Sequence, residues 1–176
     1  LAWDLRVNLF EEIFKVTKKN EIFYLETSKT IYQATSIVVA TGFYDLPFLL
    51  NIPGESLPKV KHYYQEAHPY FGMNIAVIGS ANSAVDAALD TYRKGAKKVT
   101  MIIRESEIGS NVKYWARPDI INRIEEGTIT AYFNSVVTEI REQEIDIKTP
   151  DQKLTLVNDF VLAMTGYQPD FKFLTT

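Results

Sequence analysis

Cysteine is absent from this chain, and histidine is scarce. None of the 176 residues is cysteine and only two are histidine. The absence of thiols excludes a disulfide framework, a thiolate zinc site and any cysteine redox chemistry carried by these residues. It also fits a reduced, cytoplasmic compartment. No Ser–His–Asp set or carboxylate pair can be defended either, so we predict no metal ligand and no catalytic residue within the chain.

A strong charge and a long apolar run are also missing. The formal net charge is -3, and Lys and Arg are scattered singly, which gives no electrostatic case for nucleic acid. No apolar run approaches the roughly 20 residues of a membrane span. Asp4, Arg6 and Asn8 interrupt the only early apolar stretch, so we expect no signal peptide there. With 46% hydrophobic residues, the chain can still bury a sizeable core.

The segment 74–84, with the sequence NIAVIGSANSA, predicts a buried strand, a tight turn and the start of a helix. Gly79 would supply the turn, Ala81 a close backbone approach, and Ala84 the close contact between helix and strand. The N-terminus of such a helix offers N–H groups and partial positive charge to a pyrophosphate. Only the first of the three positions is glycine, and an ordinary βα turn without a ligand is the alternative. A second buried strand over 97–104 favours the dinucleotide-binding interpretation.

The chain repeats one arrangement twice. An antiparallel β-meander, with a turn at Lys19-Asn20, leads into an apolar strand over 36–42. A second meander over 136–157 leads into a similar strand over 159–166. The elements predicted between them are an irregular linker over 43–72, helices over about 82–94 and 118–126, and a strand over 128–133. Two nucleotide-binding units of one design would produce this pattern.

The first copy lacks its beginning. Nothing before residue 7 could be the βα turn that should precede the first meander, and the first residue is Leu1 rather than Met. We therefore expect a chain cut from within a larger protein.

Four blocks of sequence carry a family resemblance: residues 38–47 (VVATGFYDLP), 52–55 (IPGE), the turn 79–84 and residues 163–167 (AMTGY). They resemble the two-dinucleotide-domain flavoprotein disulfide reductases. Residues 62–72 (HYYQEAHPYFG) and 112–119 (VKYWARPD) resemble, within that family, the thioredoxin-reductase-like bacillithiol disulfide reductases. The resemblance implies an α/β fold, with a Rossmann-like NAD(P)-binding domain that contains an antiparallel β-meander, and the β-rich tail of a truncated FAD-binding domain.

The same resemblance implies domain boundaries and cofactors. Residues 1–46 would be the remnant of a split FAD-binding domain, 47–165 an NADPH-binding domain, and 166–176 the start of the return to the FAD domain. NADPH is the expected cofactor, with FAD in the intact protein and a low-molecular-weight disulfide as the substrate. No nucleic acid or membrane partner is expected, and a homo-oligomer is left open.

Two departures from the family limit what this chain can do. Thioredoxin reductases carry a Cys-x-x-Cys pair near positions 62–67, and its absence here excludes reduction of thioredoxin by that dithiol. The FAD fingerprint and the second FAD segment are also not in the chain, so we expect it to be colourless and inactive with disulfides. The strand around Ile37–Val39 should then leave an exposed edge, which would favour dimerisation or loose packing of residues 1–45.

Arg104 and Lys113 are the candidate contacts to a 2′-phosphate. Arg104 follows the second strand, where an acidic residue would indicate NAD and a cation indicates NADP. Glu105 comes directly after it, so the pattern is mixed but favours NADPH. Lys113 resembles a second phosphate contact of the bacillithiol branch. The alternative for both residues is a solvated surface cation.

The remaining candidate cofactor contacts are Ser80, Ala81, Asn82 and Ser83 in the turn, and Thr41, Gly42, Thr165 and Gly166 at the two strand ends. Asn82 is as well suited to cap the helix as to bind a ligand, and Gly42 to make only a turn. We expect a bulky side chain at Gly79 or Ala81 to abolish nucleotide binding and leave the fold intact. Asp86 is interpreted as a solvated or capping carboxylate.

The aromatic residues have a functional and a structural interpretation. Tyr63, Tyr64, His68, Tyr70 and Phe71 could form a nicotinamide-shielding or substrate loop, but packing of a linker on the core is the favoured interpretation. Packing is also favoured for Tyr114 and Trp115.

Three kinds of function remain open. The first is the NADPH-binding part of an FAD-dependent oxidoreductase that passes hydride to flavin and on to a low-molecular-weight disulfide. A flavin monooxygenase or a ferredoxin–NADP reductase is the alternative within the enzymes. A non-enzymatic nucleotide-binding module is the alternative outside them.

Overall fold

The computed structural model describes residues 6–42, 44 and 46–169. The chain divides into two compact units, one of Leu1–Asp45 with Pro169–Thr176 and one of Leu46–Gln168. The predicted domains over 1–46, 47–165 and 166–176, and the cofactor assigned to each, stay predictions. Most of the predicted return segment (170–176) lies outside the described residues.

The first unit contains the predicted antiparallel meander. Its strands are β1 (Ile13–Lys19), β2 (Ile22–Thr27) and β3 (Ile31–Ala34), hydrogen-bonded in that order. The tight turn lies at Asn20 and Glu21, both with positive φ (48° and 62°), as a two-residue hairpin requires. This is one residue later than predicted, because Lys19 still pairs with Ile22 in the ladder.

The apolar segment over 36–42 is not a strand, and that prediction is wrong. Its backbone forms no ladder with any described strand, and the side chains of Val38 and Val39 are 93% and 47% exposed. An apolar run specifies burial, whereas a strand exists only when a second strand supplies hydrogen-bonding partners. The expected exposure is therefore present, but in an unpaired segment rather than at a sheet edge.

The second unit contains the predicted βαβ arrangement. Its elements are β4 (Leu46–Pro47), β5 (Val60–Lys61), a 3-10 helix (His68–Tyr70), β6 (Asn74–Ile78), α1 (Asn82–Arg93), β7 (Lys98–Ile102), α2 (Arg117–Glu125), β8 (Thr130–Tyr132), β9 (Val136–Ile140), β10 (Glu144–Lys148), β11 (Lys153–Val157), β12 (Phe160–Ala163) and β13 (Tyr167–Gln168). Five strands form a parallel sheet in the order β5-β12-β6-β7-β8. This is a mixed α/β fold with a parallel sheet and antiparallel strands.

Both faces of the parallel sheet are covered, which explains why its strands are almost wholly apolar. In β6, Ile75 and Val77 pack on one face with α1 and α2, while Ala76 and Ile78 pack on the other. The second face is covered by the antiparallel sheet of β9, β10 and β11. The unit is therefore layered as meander, parallel sheet and helices.

Lys59 binds one end of the β9–β11 meander to the segment before β5. Its ammonium group donates to the carbonyl oxygens of Arg141 (2.9 Å), Glu142 (3.2 Å) and Asn158 (2.7 Å). Partial burial lowers the pKa of Lys59, and the charge of Asp159 opposes that shift. Lys59 also shows that 43–72 is not simply an irregular linker, because the next residue begins β5, an edge strand of the parallel sheet.

No helix in the described residues is long and apolar enough to cross a membrane.

Candidate nucleotide-binding site

The turn between β6 and α1 has no room for a side chain at residue 79. Gly79 has φ +128°, and a Cβ placed on it would lie 2.6 Å from the carbonyl oxygen of Met164 and 3.2 Å from the Cβ of Ala84. Met164 directly follows β12, which pairs with β6. Glycine is therefore required by packing inside the protein. Our expectation that a bulky residue at Gly79 would leave the fold intact is wrong, because the substituent would meet backbone of a neighbouring strand.

The N-terminus of α1 is not capped by a side chain. Ala81 is the N-cap residue, with φ -92° and ψ -175°, and the first turn contains no acidic residue. The first N–H groups of the helix and the positive end of its dipole therefore face the turn without a competing carboxylate on the helix itself. Asn82 is the first residue of the helix rather than its N-cap, so of the two roles considered for its side chain, capping does not hold.

The side chain of Asn82 instead binds the loop that follows β7. Its amide nitrogen donates to the carbonyl of Asn111 (3.2 Å), and its amide oxygen accepts the backbone N–H of Lys113 (2.9 Å). A third tie is the Gly109 N–H, which donates to the carbonyl of Ser80 (3.2 Å). Residues 109–113, which we call the 109–113 loop, are therefore held against the start of α1.

Lys113 forms an ion pair with Asp86, one turn into α1. The ammonium nitrogen lies 2.6 Å from Asp86 Oδ2, and the two side chains are 40% and 46% exposed. The same nitrogen lies 6.0 Å from the ring centroid of Trp115. The interpretation of Asp86 as a merely solvated or capping carboxylate is wrong, because from the second turn of α1 its carboxylate pairs with the ammonium group of Lys113.

Glu105 connects Arg104 to the turn. One carboxylate oxygen accepts the Ser80 hydroxyl at 2.9 Å and the other lies 3.2 Å from Arg104 Nη2. Partial burial raises the pKa of Glu105, but hydrogen bonds from its own backbone, Ser80 and Arg104 outweigh that effect and hold the pKa below its usual value. The Arg104 side chain is 82% exposed, so its guanidinium is largely open to solvent.

The predicted residues at the other strand ends fall in two places. Thr165 and Gly166 follow β12, and both bind the backbone of Phe48. The Thr165 hydroxyl donates to the Phe48 carbonyl (2.5 Å), and the Phe48 N–H donates to the Gly166 carbonyl (3.0 Å). Thr41 and Gly42 are exposed residues of the first unit, and Gly42 has φ +82°. A cofactor contact at any of these four positions stays a prediction.

The aromatic residues of 63–71 divide into buried and exposed ones. Tyr70 is buried and Tyr64 packs against the same core, and the Tyr64 hydroxyl donates to Asp90 (2.6 Å). Burial, followed by this hydrogen bond, raises the pKa of Tyr64. The packing interpretation holds for these two residues. Tyr63 is 47% exposed and stacks on Tyr167 with ring centroids 5.2 Å apart.

Tyr114 and Trp115 do not pack in the core, contrary to our expectation. They are 84% and 63% exposed and contact each other edge to face, with centroids 4.9 Å apart. The apolar residues of this segment that enter the core are Val112 and Ala116, on either side of the pair. A window of apolar residues cannot reveal by itself which of its members turn inward.

Two cavities adjoin α1. One, of about 710 Å³, is lined by 65–68, Phe71, Asp90 and Lys94, and one of about 290 Å³ lies between Tyr64, Asp86 and Trp115. No group of three or more His, Asp or Glu side chains in residues 6–42, 44 and 46–169 is arranged to hold a metal ion.

Known proteins share both the sequence and the fold. Residues 2–176 match the family described as pyridine nucleotide-disulphide oxidoreductase. A bacilliredoxin reductase, Bdr, of Bacillus subtilis (strain 168) is 45% identical over 157 residues, which are 89% of this chain and 48% of that protein. Bacillithiol disulfide reductase Bdr from Bacillus cereus matches with a TM-score of 0.88 at 47% identity, over 97% of this chain and 54% of that one. The Staphylococcus aureus enzyme of the same name gives a TM-score of 0.88 at 39% identity, over 97% and 52% of the two chains.

The parallel sheet and its antiparallel meander form a fold that these relatives share and that is also found in thioredoxin reductases. The chain belongs to the pyridine nucleotide-disulphide oxidoreductase family, which confirms the resemblance inferred from its sequence blocks. It spans about half the length of the relatives it matches.

Sequence reasoning missed the side-chain hydrogen bonds that join the turn and the start of α1 to the segment after β7. The pairs Ser80–Glu105, Asn82–Lys113 and Asp86–Lys113 are separated by 25 to 31 residues. No local pattern marks them. The one available signal was that polar residues follow the ends of adjacent parallel strands, where their loops meet.

Proposed function

We propose that the Leu46–Gln168 unit is the Rossmann-like NADPH-binding domain of an FAD-dependent oxidoreductase that reduces a low-molecular-weight disulfide. The single observation that carries this proposal is the glycine turn between β6 and α1, which leads to an uncapped helix start at the carboxyl edge of a parallel sheet. Ligands of open α/β sheets bind at that edge.

The geometry of the turn fits a pyrophosphate. Gly79 and Ala81 bring backbone without bulky side chains to the surface, and the first N–H groups of α1 are directed at the same place. Ser80, Asn82 and Ser83 complete the rim. The first turn of α1 contributes no carboxylate that would repel an anion.

Arg104 and Lys113 suit the 2′-phosphate that distinguishes NADPH from NADH. The exposed guanidinium of Arg104 can form a bidentate, charge-assisted pair with phosphate. Glu105 is the residue that would bind ribose hydroxyls in an NAD enzyme. Its carboxylate already accepts from Ser80 and contacts Arg104, which supports the NADPH assignment.

A protein of the full length of these relatives would bind FAD as well, with Thr41 and Gly42 on the FAD side and Thr165 and Gly166 at the end of the nucleotide domain. NADPH supplies hydride to the flavin, and the role of this chain is to bind and orient the nucleotide. The disulfide substrate is proposed from the relatives, which are named for bacilliredoxin and bacillithiol disulfide. A cytoplasmic location is part of the same proposal.

Nucleotide binding by Ala81 variants tests the site. We expect Ala81→Leu to abolish NADPH binding in calorimetry on the 176-residue chain, because the pyrophosphate must approach the backbone here. Ala81→Gly is the matched control, since glycine is tolerated at an N-cap and removes no contact that the nucleotide needs. Circular dichroism and thermal unfolding check that both variants are folded. Binding by a folded Ala81→Leu variant equal to that of the unsubstituted chain would show that the turn is not the nucleotide site.

A further inference from the structure

The 109–113 loop is attached to α1 mainly by one side chain. Asn82 donates to the Asn111 carbonyl and accepts from the Lys113 N–H, so its amide spans the backbone on both sides of Val112. Val112 is buried in the core next to it. These two hydrogen bonds are not needed to form the helix. Their effect is to fix the position of the Lys113 backbone.

The ammonium group of Lys113 is then fixed by Asp86. A lysine ammonium has three N–H donors, and one of them is directed at Asp86 Oδ2 at 2.6 Å. The side chain is 40% exposed, so donors remain available to an anion from solvent. Asn82 and Asp86 lie four residues apart on the same face of α1, and they hold the backbone and the side chain of one cation beside the uncapped helix start.

We propose that Asn82 is a positioning residue that sets the preference for NADPH over NADH by holding Lys113 in place, rather than by touching the nucleotide. The inference rests on the proposed function, since it assumes that the turn binds NADPH. Because its oxygen and its nitrogen both bind backbone of the 109–113 loop, the orientation of the Asn82 amide is fixed by that loop. A cation on an untied loop would lose entropy on binding the phosphate, and the tie removes that cost.

The test is a double-mutant cycle measured with both nucleotides by calorimetry on the 176-residue chain. Lys113→Ala should weaken NADPH binding about tenfold or more, the effect of losing one charge-assisted hydrogen bond to phosphate. Asn82→Ala should produce most of that loss. The double variant should bind NADPH no more weakly than Lys113→Ala, because Asn82 acts only through the lysine. All three should bind NADH within about twofold of the unsubstituted chain, since NADH has no 2′-phosphate.

Asn122→Ala is the matched control. Asn122 is an exposed asparagine of α2, outside the proposed site, so the same substitution there should leave both affinities unchanged. Multiplicative losses in the double variant would overturn the proposal in favour of a direct contact or a general structural role of Asn82. Equal losses for NADH and NADPH would also overturn it, because Lys113 would then not act on the 2′-phosphate. If the unsubstituted chain binds neither nucleotide, the proposed function itself fails, an outcome distinct from the other two.

Discussion

Replacing Arg104 with alanine should strongly reduce the preference of the chain for NADPH over NADH. The side chain is 82% exposed and pairs only with the adjacent Glu105 at 3.2 Å among the described residues. Its loss should therefore change the free energy of unfolding by no more than about 0.5 kcal/mol. A charge-assisted hydrogen bond to phosphate contributes about 1.5–3 kcal/mol. NADPH should bind roughly 10- to 150-fold more weakly, with NADH affinity nearly unchanged.

Isothermal titration calorimetry with both nucleotides at one salt concentration measures this change. Lys97→Ala is the matched control, because it also removes one exposed positive charge but lies before β7, whereas Arg104 lies after it. The control should lower NADPH affinity only slightly, through the net charge. An unchanged NADPH affinity in Arg104→Ala, or a preference for NADH in the unsubstituted chain, would refute the assignment of Arg104 to the 2′-phosphate.

Two further predictions concern stability. Gly54 has φ +82°, and a Cβ there would overlap the carbonyl oxygen of Ile140, whereas Gly127 has φ +74° with open space around it. In both alanine variants the left-handed backbone should lower the free energy of unfolding by about 1–2 kcal/mol, and at Gly54 the overlap adds to this loss. Chemical unfolding should therefore show a larger loss for Gly54→Ala, and equal losses would contradict the steric argument. Hydrogen bonds from Arg141 and Thr155 hold the pKa of Asp146 at about 2, below the ordinary 3.8. The charged form of Asp146 therefore stabilises the fold above about pH 4, and this contribution is lost as the pH falls towards 2. Asp146→Asn should have a flatter unfolding free energy across that range than the unsubstituted chain or Asp151→Asn, an exposed control; parallel curves would contradict this assignment.

The periodic elements could be predicted from local pattern. The sequence over 74–102 predicted β6, α1 and β7 with bounds within a few residues, because strands buried on both faces read as continuous apolar runs and α1 has helical spacing. The second meander was predicted as a series of short strands separated by turns at polar residues, and the structure has strands there. The segment over 36–42 has the same apolar composition as β6 but forms no strand. The difference is the presence of a partner strand, which composition does not encode.

The candidate site shows the same division. Its glycine turn, the two cations and the family were accessible from the sequence, because each depends on residue types at short spacing or on blocks of similarity. The role of Asn82 was not, since a helix-capping residue and a loop-binding residue look alike until the loop is in place. Likewise Asp86 could be identified as a helix residue but not as the partner of Lys113, 27 positions away.

The sequence by itself therefore determined the order of the elements, the presence of a glycine turn leading into a helix, and the family to which the chain belongs. Only the tertiary structure decided that Gly79 is required by Met164, that Glu105 accepts the Ser80 hydroxyl, and that the 109–113 loop is tied to α1. The physical reason is range. Helix and strand tendencies act between residues a few positions apart, whereas these contacts join segments 25 to 85 residues apart that meet only when the parallel strands align.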